Sequence, residues 1–154
     1  MKGWKRDETY RGDRLTVTLT DRIGAGGKRK ITRLAVKILK ELSIENKELS
    51  ILITDDREIR SLNRKYLGKD LATDVLSFPM EDSVLIGDVV VSLETAEKQA
   101  KRFSVTTTEE LARLIVHGVL HLMGYEHVNG GRQAGKMKRK ERELLTVLTE
   151  DGLI

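Results

Sequence analysis

Apolar residues alternate with polar ones in some stretches of this chain and recur every three or four residues in others, so strands and helices can be assigned before any other property is considered. Arg14 to Thr20 places Leu15, Val17 and Leu19 on one side, the mark of a strand with one buried face. The stretch Gly24-Ala25-Gly26-Gly27 then leads into a helix whose Ile31, Leu34, Ala35, Ile38, Leu39 and Leu42 form a single stripe. Leu49 to Thr54 reads as a buried strand, Asp55 or Asp56 is placed to cap a helix from Arg57 to about Tyr66, and Asp74 to Phe78 is a third strand ended by Pro79. Ile86 to Ser92 is a fourth strand, and helices from Leu93 to Phe103, Glu109 to Met123 and Arg132 to Leu148 complete the chain. Thr106, Thr107 and Thr108 offer N-cap hydroxyls ahead of Glu109 and Glu110, which suits a capping box. This is an α/β-type order around one small sheet, whose parallel or mixed character the pattern leaves open.

Length changes the picture little: 154 residues without a Pro-, Gly- or Ser-rich linker, repeat or low-complexity tract predict one domain over 1–154. Met1 to Arg14 is charged rather than apolar, and no stretch reaches transmembrane length, so a cytoplasmic protein with no membrane partner is expected. The absence of cysteine excludes disulfides and thiolate-held iron–sulfur clusters. Side-chain amides are confined to Asn46, Asn63, Asn129, Gln99 and Gln133 beside abundant Lys, Glu and Arg, the composition of proteins from hot sources. The net charge of +4 is modest, but its distribution singles out two clusters. Arg64, Lys65 and Lys69 flank one loop, and Arg132, Lys136, Lys138, Arg139, Lys140 and Arg142 crowd the last helix. Both suit phosphate contact, and both equally fit a solvated helix face.

The chemistry concentrates in one window, His117-Gly118-Val119-Leu120-His121-Leu122-Met123-Gly124-Tyr125-Glu126-His127, which holds every histidine of the chain. His117 and His121, four apart on a helix, project from one face and can share a metal ion. Gly124 is placed to end that helix in the left-handed conformation and turn the chain so that His127 returns to the same ion. Three imidazoles suit a catalytic zinc, which keeps a fourth position for water, better than a structural zinc, which is closed by four ligands and most often by cysteines. The neighbours Leu111, Leu114, Ile115, Val116, Val119, Leu120, Leu122 and Met123 make the helix apolar almost all round, where rings without partners would be costly. Zinc proteases with this spacing carry glutamate directly after the first histidine as general base, and here that position is Gly118. Ser77 has no fourth histidine to activate it, which excludes a serine triad. Tyr66, Phe78 and Tyr125 fit either core packing or stacking on unpaired bases.

Three separated motifs carry a resemblance. Leu62-Asn63-Arg64-Lys65-Tyr66-Leu67-Gly68-Lys69-Asp70-Leu71-Ala72-Thr73-Asp74-Val75-Leu76-Ser77-Phe78-Pro79, Gly87-Asp88-Val89-Val90-Val91-Ser92 and the histidine window together resemble the YbeY family of bacterial metal-dependent endoribonucleases and ribosomal RNA maturation factors. The resemblance implies a zincin-like metallohydrolase of α+β class, a single small domain with a four-stranded mixed sheet and about five helices. It implies one zinc ion per chain held by His117, His121 and His127, and cleavage of single-stranded RNA. It also implies roles in maturing the 3′ end of small-subunit ribosomal RNA and in ribosome quality control, with ribosomal proteins or assembly factors as partners.

Asp74, Asp88 and Glu126 are the carboxylates these motifs offer to catalysis, although a strand-start aspartate also serves a loop amide and Glu126 can orient a ligand histidine or lie in solvent. Arg64, Lys65, Lys69, Arg132, Lys136 and Arg139 are the candidate RNA contacts. Two positions depart from the family pattern: Leu67 replaces a common arginine, and Glu126 stands where aspartate is usual. Arginine's planar fork is not replaced by a lysine point charge. Two rival functions follow, a non-catalytic ribosome-assembly factor with a bound metal and a metalloprotease, the second opposed by Gly118.

Overall fold

A computed structural model describes residues 8–12, 14–24, 26–80, 82–126 and 131–154. Its elements are β1 (Glu8–Gly12), β2 (Leu15–Asp21), α1 (Lys28–Glu41), β3 (Lys47–Thr54), α2 (Asp56–Leu67), β4 (Val75–Pro79), β5 (Leu85–Ser92), α3 (Leu93–Phe103), α4 (Thr107–Leu122) and α5 (Gly131–Glu150). The five strands form one mixed sheet in the order β1-β2-β3-β5-β4. β2, β3 and β5 run parallel, while β1 and β4 are antiparallel to their neighbours at the two ends.

The described sheet therefore has five strands rather than the expected four. The additional strand, β1, pairs Glu8 with Leu19 through Gly12 with Leu15. Its residues Glu-Thr-Tyr-Arg-Gly give almost no apolar alternation because an outermost strand buries little, and Tyr10 alone of them packs against the core.

Strand alternation divides the apolar residues between two sides of the sheet. Leu49, Ile51 and Ile53 of β3 and Val89 and Val91 of β5 join the main core with α1, α4 and α5. Leu52 and Val90 point the other way and meet Leu76 and Ile59 of α2, with Leu62 and Phe78 against them. α4 thus lies on the main-core side of β4 and β5, and α2 on the opposite side.

The helix ends follow local chemistry. Asp55 caps α2 by accepting from the Glu58 amide at 2.9 Å, and Thr106 caps α4 by accepting from the Glu109 amide at 3.1 Å. At the end of α4, the Tyr125 amide donates to the Leu120 carbonyl and the Gly124 amide to the His121 carbonyl, the double bond pattern of a Schellman motif. Gly124, at φ +92°, supplies the conformation this turn requires.

Candidate metal centre

Buried helix α4 presents Glu110, Arg113, His117 and His121 at spacings of three and four, so all four fall on one flank. The Nε2 atoms of His117 and His121 stand 3.0 Å apart with the rings inclined at 77°. What turns these atoms toward each other is the partner of each Nδ1. The His117 Nδ1 lies 2.5 Å from Oε1 of Glu141 on α5, and the His121 Nδ1 lies 2.9 Å from the Tyr125 carbonyl. Carboxylate and carbonyl oxygens accept, so both rings carry their proton on Nδ1 and turn an Nε2 lone pair inward. Two lone pairs in that arrangement attract a cation. Nitrogens 3.0 Å apart also fit one zinc ion, whose bonds to imidazole are about 2.0–2.1 Å. The Schellman turn at Gly124 is what carries the Tyr125 carbonyl back over His121. The glycine therefore ends the helix and positions the acceptor that fixes this ring.

His127 lies outside the described residues, as do the three that follow it. Among the described residues, no group of three His, Asp or Glu side chains comes together as a metal cage.

Gly118 has a steric explanation that its sequence position does not reveal. A Cβ there would stand 2.7 Å from Cγ1 of Val89 and 3.2 Å from the Ser77 hydroxyl oxygen, which donates to the Gly118 carbonyl at 2.9 Å. Helix and sheet approach so closely that even a methyl group would force Val89 to shift, and the larger glutamate of zinc proteases meets the same wall. Ser77 serves as the tie between β4 and α4.

The candidate carboxylates separate. Asp74 accepts from the Val75 amide at 2.8 Å and contributes, with Glu141, to the negative field on Arg113, one turn before His117. Glu110 binds that guanidinium through two contacts of 2.5 and 2.8 Å, which with these neighbouring charges holds Arg113 above its usual pKa despite its burial. Asp88 is buried, but it shares the parity of Val90 and pairs with Phe78, which places it on the α2 side of the sheet, away from the histidines. Glu126 is exposed after the Gly124 turn. The basic candidates separate as well. Arg64, Lys65 and Lys69 are exposed at the end of α2, and Arg132, Lys136 and Arg139 are exposed along α5 on the other side of the sheet.

Glu141, at hydrogen-bond distance from a candidate ligand, was not visible as a site residue in sequence. The signal was a carboxylate on the stripe Met137, Glu141, Leu144, Leu148, whose other members are buried.

The family model described as endoribonuclease YbeY matches residues 20–149. The chain is similar to the endoribonuclease YbeY of Aquifex aeolicus, at 46% identity over 127 residues covering 80% of this chain and 85% of that one. It is also similar to the endoribonuclease YbeY of Geobacter metallireducens, at 38% identity covering 83% and 91% of the two chains. Its fold resembles the solution structure of TM1509 from Thermotoga maritima, with a TM-score of 0.65 and 27% identity over 87% of this chain and 90% of that one. The histidine window and the Leu62–Pro79 motif both fall inside the matched region, and the chain belongs to the endoribonuclease YbeY family.

Proposed function

We propose that this protein is a zinc-dependent endoribonuclease of zincin-like architecture that cleaves single-stranded RNA, with His117, His121 and His127 holding one zinc ion. The observation that carries the reading is the converging pair of Nε2 atoms, each turned inward by an acceptor on its Nδ1. Bound there, zinc supplies Lewis acidity that polarises a phosphoryl oxygen and acidifies water. Glu141 and the Tyr125 carbonyl hold the two imidazoles in place. Single strands are favoured because flexible backbone reaches a helix-lined site more easily than regular A-form duplex does. Family membership supports ribosomal RNA as substrate, at the 3′ end of the small-subunit RNA and in ribosome quality control, with ribosomal proteins or assembly factors as partners and the cytoplasm as location.

Asp74 and Glu126 remain candidates to move protons. Arg64, Lys65 and Lys69 at the end of α2, and Arg132, Lys136 and Arg139 along α5, would hold backbone phosphates on the two sides of the sheet. Asp88, the third candidate carboxylate, is buried on the side of the sheet opposite the histidine pair.

Cleavage of matched single-stranded and duplex RNA by zinc-loaded protein, with His121→Ala in parallel, tests the proposal. Cleavage confined to single strands and lost in the variant is expected. A 2′,3′-cyclic phosphate end would assign the attack to the ribose hydroxyl, and a simple phosphate end to water. One observation keeps an assembly factor as the second reading: Leu67, in place of the common arginine, is half exposed and brings no charge to the site. RNA binding without cleavage by folded, metal-replete protein would favour that function.

A further inference from the structure

The main-core side of β4 carries the histidine pair, while its other side carries a patch that the metal centre does not use. Tyr66, at the end of α2, is 49% exposed and meets Phe78 of β4 edge-on, with ring centroids 5.5 Å apart. The Lys65 ammonium lies over the Tyr66 ring at 5.3 Å, and Arg64 and Lys69 are exposed beside it. Leu67 and Leu71 add exposed apolar surface.

The support beneath the patch is fixed. Gly68, at φ +70°, ends α2, and Arg60 clasps Asp70 at 2.9 Å. Asn63, 2% exposed, donates to the Leu71 carbonyl at 3.0 Å. A half-exposed aromatic ring at a helix end, held by a second ring and with a lysine over its face, is the arrangement that stacks an unpaired base while neighbouring charges take its phosphates.

We infer that Tyr66, backed by Phe78, is a stacking platform for a base of single-stranded RNA that passes over β4 to the histidine pair. This inference rests on the nuclease reading. β4 is an outermost strand, and its adjacent residues Ser77 and Phe78 face opposite sides of the sheet, Ser77 bonding the carbonyl of Gly118 beside His117 and Phe78 backing Tyr66, so an RNA strand that runs from the platform to the histidine pair crosses this edge. The basic residues favour a polyanion, and the aromatic face favours one whose bases are unpaired, so single-stranded RNA is the occupant. A duplex hides its base faces and leaves Tyr66 without a role.

The test is binding of non-cleavable 2′-O-methyl single-stranded RNA, carrying 2-aminopurine at successive positions, to the zinc-loaded protein and to Tyr66→Ala, Tyr66→Leu and Tyr66→Trp. The Leu variant keeps apolar contact with Phe78 without an aromatic face, so it remains informative should the Ala variant fold poorly. Both non-aromatic variants are expected to bind at least about fivefold more weakly, and Trp is expected to restore affinity. 2-Aminopurine quenching at one position should disappear with the ring, and an abasic nucleotide there should weaken the wild type but not Tyr66→Leu. Tyr66→Leu binding within twofold of a wild type that binds and cleaves RNA would overturn the platform alone. A wild type that neither binds nor cleaves RNA would overturn the nuclease reading together with it.

Discussion

Glu141 is the residue on which the proposed metal centre most depends outside the histidines themselves. It reaches His117 from a helix 24 positions away and selects the ring tautomer. Glu141→Gln retains the shape but replaces the carboxylate with an amide that can present either oxygen or nitrogen, so ring orientation loosens. Zinc affinity measured by chelator competition should fall about 10- to 100-fold, with the melting temperature of the metal-free protein little changed. Gly118→Ala probes packing instead. Its methyl meets Val89 and Ser77, so chemical denaturation should report a loss of about 1–3 kcal/mol, and no peptidase activity should appear. The histidine pair was legible because helical periodicity alone puts positions four apart together. Glu141 was not, because its pairing is a tertiary fact, and the side of the sheet that Asp88 takes was hidden because Val89, Val90 and Val91 are all buried, which masks the alternation.

At the scale of elements, α2 and α3 begin at one shared carboxylate. Asp56 accepts from the hydroxyls of Ser92, the α3 N-cap, and Thr95, the latter at 2.6 Å. Burial pushes its pKa upward, but these hydrogen bonds and the Lys98 charge outweigh that effect and hold it below the usual carboxylate range. A folded-state pKa below the unfolded value stabilises the protein above about pH 4, and the contribution disappears as pH falls through the folded value. Asp56→Asn should therefore be less stable than wild type at pH 7, and the gap in denaturation midpoint should narrow as pH falls toward 3. Four strands and all five helices were legible from apolar period and caps, with ends displaced by a few residues where capping resolved them. β1 was not, since a polar outermost strand is stabilised by backbone pairing rather than by a side-chain pattern.

For the whole molecule, the sheet sets the division of labour. Its main-core side holds α4 against α5 and so brings Glu141 to the histidine pair, and its other side holds α2 and the proposed base platform. Because α5 supplies the Glu141 acceptor that orients His117 on α4, metal binding and stability should be linked. Zinc at one hundred times its dissociation constant adds about 2.7 kcal/mol to a protein that binds it only when folded. Chelator should lower the wild-type melting temperature and leave His117→Ala unmoved. Among the described residues no helix is long and apolar enough to cross a membrane, and two basic clusters on opposite sides give a polyanion more than one surface to meet.

The most direct test of the metal centre is the state of its ring nitrogens, followed by long-range 15N–1H spectra of the histidine side chains as zinc is added. Nδ1 of His117 and His121 should carry the proton throughout, and both Nε2 resonances should move to ligated positions and stop moving at one equivalent of zinc. Zinc-free rings protonated at Nε2, or either histidine indifferent to zinc, would contradict the account.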